Sequence, residues 1–459
     1  MSFFLDWQSD GILARVALVL YGVVLLAFVL PRFRRCGALT RLLPAALLWH
    51  LFIWAFIAFW MLPYYMAANG VDCYGYHHEG IRIAGLIRAG DWGSISWGVS
   101  TAAMPIITGF LYAPFGGDIY GVLFFSSVLG FCAGLYLCLA FSLWATQAQL
   151  RTYSLIVLFL PSFATWTGFF GKDSWIALGL GLAAYGYSSI LKARRSTGLW
   201  YLLAGVAIVT VVRPHIAVAL AASMALVYVW VLTRARHVSI LAKFGTVVML
   251  VAMFALLASI ARGFLGLSDV SVDSMQEFAQ TQGQGNAIGG SAVEIQAAPG
   301  VAGALLAFPR GVVRILFQPF PWEVHNVNAG MAAGENLFIL WFALGHAMRL
   351  RGLLRGITRE PYVLFSSVLA CSLLLMFSFT PNLGLLSRQR AQLLPFVFAP
   401  LVAAAAARKR ASRLARMTAP VGWPYSRGRA LAGTRTAFSS TPANRRIPPS
   451  PLPTHGPAS

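Results

Sequence analysis

Charge is what this sequence has least of. Only 11% of its 459 residues are charged, and acids are the scarcest, 14 Asp and Glu against 35 Lys and Arg. Soluble domains carry about 25% charged residues, so a soluble globular chain is excluded. The 58% hydrophobic content and mean hydropathy of +0.70 leave more apolar surface than a core absorbs. The excess must face lipid. Cysteine is sparse as well. Cys36, Cys73, Cys132, Cys138 and Cys371 have neither paired nor metal-ligand spacing, which predicts no disulfide framework. The start, MSFFLDWQSDG, lacks the basic segment of a signal peptide and carries Asp6 and Asp10 instead, so the first apolar run is expected to be retained. Nucleotide-driven chemistry has no candidate either, because no G-x-x-x-x-G-K-[ST] phosphate loop and no soluble domain are visible.

What is present is a recurrence of apolar runs, each about 20 residues long, the length a helix needs to cross a bilayer. They predict an all-α polytopic membrane helix bundle of about 11 transmembrane helices, near 11–31, 42–67, 119–143, 153–170, 174–191, 198–212, 216–233, 244–265, 328–348, 361–380 and 391–407. Basic clusters at Arg32–Arg35, Lys192–Arg195, Arg234–Arg236, Arg349–Arg355 and Arg408–Arg410 then fall on one side. By the positive-inside rule that side is cytoplasmic, with the N-terminus outside and the C-terminus inside. The acids agree, since Glu360 alone among them lies in a predicted cytoplasmic loop. The organisation is one transmembrane domain over 1–407, with extracytoplasmic loops at 68–118 and 266–327, and a basic cytoplasmic tail at 408–459. The tail holds ten Arg or Lys and no acid. It reads as disordered and attracted to anionic membrane lipids rather than to nucleic acid.

The informative residues are those left outside. Positive charge is disfavoured there, yet Arg82, Arg88, Lys172, Arg213, Arg310, Arg314, Arg388 and Arg390 all fall on that face. Each can snorkel to lipid headgroups, or the set can bind a phosphorylated ligand. Their recurrence beside proline breaks favours the ligand. In PRGVVRILFQPFPWE, Arg310 and Arg314 share one face of a helix too short to span, closed by Pro319 and Pro321 and followed by Glu323. That pattern predicts an interfacial or re-entrant helix with two cations at headgroup depth. VVRPH sets Arg213 and His215 where a short span meets the outside.

Two stretches carry acids. In VDCYGYHHEGIRIAGLIRAGDW, Asp72 follows a span end in an aromatic and apolar setting that suits a general base; it can equally be a helix cap. His77, His78 and Glu79 are candidate ligands for a divalent cation, although adjacent residues point apart on regular structure. In TGFFGKDSWIAL, Lys172 and Asp173 break two apolar runs. Gly171 and Asp173 can simply turn and cap the next helix, or the pair can handle a donor phosphate and an acceptor sugar.

The order Asp72, Tyr76, RAGDW (Arg88 to Trp92), Pro105 and LYAPFGGD (Leu111 to Asp118) resembles the first outside loop of GT-C glycosyltransferases that use lipid-phosphate-linked sugars. The later GKDSW, PFPWE and LLSRQR segments are similar to ones in bacterial O-antigen and exopolysaccharide polymerase-like membrane proteins. The chain departs from that family by an extra span ahead of Asp72, and by Cys73 where many members carry a second acid.

The resemblance implies a GT-C-like fold with short extracytoplasmic interfacial helices. It implies transfer of a sugar or oligosaccharide from a polyprenyl-phosphate-linked donor to a glycan or lipid-linked acceptor, at the outer face of the bacterial cytoplasmic membrane. Asp72, Lys172 and Asp173 would be catalytic. Arg82, Arg88, Arg213, His215, Arg310, Arg314, Glu323, Arg388 and Arg390 would bind substrate. No cofactor is required, with a divalent cation at His77, His78 and Glu79 as an option. A transporter or flippase for lipid-linked oligosaccharides is the alternative; few mid-span charges and no internal repeat speak against it. A scaffold in envelope assembly is a third.

Overall fold

The computed structural model describes residues 9–33, 36–67, 72–193, 196–234, 300–324, 327–347, 360–378 and 383–418, with isolated positions between 239 and 259 and at 357 and 380. Every regular element among them is helical. Five helical stretches are long and apolar enough to cross a membrane: Gly11–Phe33, Gly37–Tyr65, Ile119–Ser142, Lys172–Lys192 and Pro214–Arg234. Large apolar side chains such as Val24, Phe28, Leu48, Phe52 and Trp200 are exposed on these and neighbouring helices, the surface a bilayer would cover. The expected span at 244–265, the sequence between 260 and 299, and the sequence after Thr418 lie outside the described residues.

The helices are α1 (Ser9–Val29), α2 (Gly37–Phe56), α3 (Leu62–Ala67), α4 (Asp72–Ala89), α5 (Ala103–Tyr112), α6 (Ile119–Ser142), α7 (Gln147–Phe159), α8 (Pro161–Gly168), α9 (Lys172–Ser188), α10 (Thr197–Val212), α11 (Pro214–Arg234), α12 (Gly300–Phe317), α13 (Val327–Ala347), α14 (Pro361–Phe377) and α15 (Leu383–Thr418). Apolar all round, α6 is the central post, buried almost throughout, and α1, α2, α7, α8 and α9 pack on it. Its start is fixed twice over. Asp118 caps it by accepting from the Gly121 N–H at 2.6 Å, and also takes a two-pronged ion pair from Arg15 of α1 at 2.9 and 2.8 Å.

Small residues bring α9 and α10 together. A Cβ on Gly205 would lie 2.4 Å from the Ala183 nitrogen, and one on Gly186 would lie 2.3 Å from that of Leu202. Helices in lipid pack closely through such positions. The consequence is local to the site: this antiparallel pair brings the first turn of α9 beside the last residue of α10.

Four expectations need correction. The span expected at 153–170 is two helices, because Pro161 begins α8 and Leu160 leaves helical geometry at ψ 120°. Much of the loop expected at 68–118 is a packed pair of helices. Cys73, Tyr76, Gly80, Ile83 and Ala84 of α4 are buried at helical spacing, and Gly80 meets Thr108 of α5 while Gly109 meets Ile83. The helix bearing Arg310 and Arg314 is longer than the short segment expected, 18 residues from Gly300. The last helix runs on to Thr418, past the expected boundary at 407.

Candidate functional site

Residues far apart in sequence meet where α4 and α9 begin, α10 ends and α15 begins. Asp72 opens α4, and its carboxylate stands 3.5 Å from the Arg388 guanidinium. Arg388 also lies over the Trp166 ring at 5.2 Å. Lys172 opens α9 and donates to the Thr101 hydroxyl at 2.6 Å. It lies within electrostatic range of Arg213, Asp72, Asp173 and Arg388. Behind it, Asp173 pairs with Arg213 at 3.3 Å and accepts from the Gln392 amide at 2.6 Å. Tyr76 is buried in the same field; burial first, then the Asp72 carboxylate, pushes its pKa up, so its hydroxyl stays protonated.

Local sequence explains these placements. The Val212–Arg213–Pro214 break ends α10 and starts α11, since Pro214 cannot continue the previous helix but suits the first position of the next. Arg213 sits in that break at φ −146°, ψ 88°. On α15 a step of two residues turns about 200° and a step of four about 40°. Arg388 and Gln392 therefore share the face toward Asp72 and Asp173, while Arg390 points the other way.

The cluster has an outer and an inner layer. Asp72 is open, with 70% of its side chain exposed, and Arg388 is 24% exposed. Asp173 and Arg213 are each 12% exposed. The Arg213 Nη1 and the nearby His215 Nδ1 are buried and hydrogen-bond to nothing among the described residues. Three cations face two carboxylates, an excess of one positive charge with a spare inner donor. Such a set suits an anion reaching in from the open side.

The apolar enclosure expected for Asp72 is not there: its carboxylate is solvent-facing and beside a cation. Asp173 does not cap its own helix, which has no side-chain cap; its carboxylate is committed to Arg213 and Gln392. The remaining expected site residues lie elsewhere. Arg82 and Glu79 form an exposed pair at 2.6 Å, which holds the Glu79 pKa down. His77 hydrogen-bonds through Nδ1 to the Tyr112 hydroxyl at 2.9 Å, and His78 packs edge-on against Tyr74. Burial, then His78, lowers the His77 pKa to about 4. These three residues do not converge, and the described residues contain no group of His, Cys, Asp and Glu suited to a metal ion. Arg88 bonds back to the Ala84 carbonyl at 3.3 Å.

Arg310 is exposed on α12. Arg314 instead caps α14, donating to the Ser378 and Thr380 carbonyls at 2.7 and 3.0 Å. Glu323 accepts from Gln318 and from the Phe320 N–H within its own turn. Arg390 is 1% exposed and bonds to Asn336 and the Gln318 carbonyl, with Glu335 at 3.9 Å. Glu335 in turn accepts from the Ser162 N–H at the start of α8. In this structure Arg314 and Arg390 hold separate elements together, and Glu323 braces its own turn after α12.

Sequence reasoning missed Gln392, Thr101 and Trp166. Gln392 had one usable signal, its place four residues after Arg388. The other two had none. No family model, no curated protein and no solved structure matches this chain.

Proposed function

We propose that the chain is a GT-C-like membrane glycosyltransferase or glycan polymerase. It transfers a sugar or oligosaccharide from a polyprenyl-phosphate-linked donor to a glycan or lipid-linked acceptor, at the outer face of the bacterial cytoplasmic membrane, in envelope polysaccharide assembly. The observation that carries this reading is the gathering of Lys172, Arg213 and Arg388 about two carboxylates, the open Asp72 and the enclosed Asp173. The reading keeps the expected topology of about 11 spans, with the N-terminus outside and the C-terminus in the cytoplasm.

The chemistry follows from the layers. The acceptor hydroxyl oxygen attacks the anomeric carbon of the donor, and the bond from that carbon to the phosphate oxygen breaks. Its electron pair leaves on the phosphate, where Lys172 and Arg388 offset the added charge and Arg213 reaches it through Nη1. The hydroxyl proton passes to Asp72. Asp173 acts indirectly, by holding Arg213 and Gln392 in place. In a strain deleted for the protein, wild type should restore glycan and Asp72→Asn or Lys172→Ala should not, at equal membrane abundance. Full output from Asp72→Asn would end the transferase reading.

A second reading, transport of a lipid-linked oligosaccharide, draws on the buried pair of Arg390 and Glu335, because ionisable groups inside a bundle often mark a pathway. Purified protein in proteoliposomes separates the two. A transferase makes product with donor and acceptor in the same leaflet, whereas a flippase changes the leaflet and makes none.

A further inference from the structure

The turn between α4 and α5 carries a feature that the charge cluster does not use. Trp92 and Phe110 stack, with ring centroids 6.2 Å apart and planes 29° apart, and Trp97 lies 6.4 Å from the same Phe110 ring. All three are open, 49%, 47% and 59% exposed.

The turn is pinned at four places. Gly90, at φ +70°, closes α4 with the Gly90 N–H on the Ile87 carbonyl and the Asp91 N–H on that of Leu86. Ile95 is 3% exposed and packs with Ile83 and Ile106. The Ser100 N–H donates to the Val211 carbonyl at 2.7 Å, and Thr101 accepts from Lys172. The rings are therefore presented by a fixed backbone.

The surroundings are polar. Asp91 directly precedes Trp92, and Ser94 and Ser96 run between Trp92 and Trp97; all three are exposed, on non-helical backbone. Irregular backbone with open polar groups is not stable against lipid hydrocarbon, so this turn lies outside the hydrocarbon core, at the aqueous or headgroup level. A flat ring face carries negative quadrupole charge and attracts the weakly positive C–H bonds on one face of a pyranose. Neighbouring hydroxyl and carboxylate groups can then bond the sugar's own hydroxyls. Trp97 is four residues from Thr101, at most about 14 Å of chain, so a glycan lying on the rings would reach Lys172 within a few sugar units.

We propose that Trp92, Trp97 and Phe110 form a sugar-stacking platform that holds the acceptor glycan leading into the cluster at Asp72. The assignment of the sugar as acceptor rests on the transferase reading; the platform itself rests on the rings and their turn. The partner class is an oligosaccharide of pyranose units.

The test is saturation-transfer NMR on the full chain in nanodiscs, without donor, using cellohexaose, chitohexaose, maltohexaose and mannohexaose as probes. Wild type should saturate C–H protons of at least one probe. Trp92→Ala and Trp97→Ala should weaken binding roughly tenfold, the scale of one lost aromatic contact. Trp97→Tyr, which keeps a ring, should retain most of it and serves as the folding control. No signal with any probe, or equal signal in the alanine variants, overturns the platform. So does stronger quenching of wild type than of Trp97→Phe by brominated acyl chains, since the ring would then sit in lipid. Asp72→Asn separates the two readings: if it still makes glycan while the alanine variants lose sugar binding, the platform stands and the transferase reading falls. If Asp72→Asn makes none while the alanine variants bind normally, the reverse holds.

Discussion

Arg388→Ala and Arg390→Ala sit two residues apart on α15 and should fail in opposite ways. At 3.5 Å from Asp72, Arg388 gains about 1 kcal/mol from that charge if the pair is screened as in water. With 70% of the Asp72 side chain exposed, the measured value should be at or below that. The Trp166 contact at 5.2 Å adds about 0.5–1 kcal/mol. Arg388→Ala should therefore cost no more than about 2 kcal/mol of stability. Its cost in rate should be larger, on the order of 100-fold, if it stabilises the leaving phosphate.

Arg390 is enclosed, and its loss leaves Glu335 as a buried charge without its cation. Removing one partner of such a pair costs about 3–5 kcal/mol, so Arg390→Ala should unfold or fail to accumulate. The assays are equilibrium unfolding in mixed micelles and glycan transfer normalised to folded protein. If Arg388→Ala loses as much folded protein as Arg390→Ala, or transfers at the wild-type rate, the division of α15 into a site face and a packing face is wrong.

Three further outcomes follow. Asp173→Ala and Arg213→Ala should be non-additive, with a coupling of about 1–3 kcal/mol in a double-mutant cycle; additivity within about 0.5 kcal/mol would show that the pair is idle. Gly205→Leu should force α9 from α10, because even a Cβ there meets the Ala183 nitrogen at 2.4 Å, and should lower stability by at least about 1–3 kcal/mol as judged by unfolding. His77 has a folded pKa of about 4 against an ordinary 6.5, so the unfolded chain takes up the proton first. Stability should fall as pH drops from about 6.5 to about 4 and then level off, and His77→Gln should remove that contribution in melting curves recorded across the range.

The sequence was most readable where proline and charge punctuate it. Pro214 marks the break that holds Arg213, and the pair Lys172–Asp173 marks the start of α9. Pro161 was equally available, yet the apolar run hid the end of α7 at Leu160. In α4, the glycine, histidine and charge of the exposed face looked like a loop, while the burial of Cys73, Tyr76, Gly80, Ile83 and Ala84 decided for a helix. Within the site, sequence could nominate cations but could not orient them. Arg388 and Arg390 look alike in LLSRQR, and only the helix that carries them points one to Asp72 and the other to Glu335. Gln392 has no charge to draw attention, yet it bonds Asp173 more closely than any cation does.

The two ion pairs of the cluster differ in a way that matters for the proposed chemistry. The pair of Asp173 and Arg213 is enclosed and reinforced by Gln392, so a ligand that broke it would leave a buried charge behind. The pair of Asp72 and Arg388 is longer and open to water, so little is lost when it separates. An arriving phosphate can therefore take Arg388 from Asp72 while the inner pair keeps Arg213 aimed. That exchange would satisfy the phosphate and release the carboxylate in one step. On this argument Asp72→Asn should still bind donor phosphate, through cations it no longer engages, while failing to transfer. An Asp72→Asn variant that lost donor binding as completely as Arg388→Ala would show instead that the carboxylate holds the cation in position.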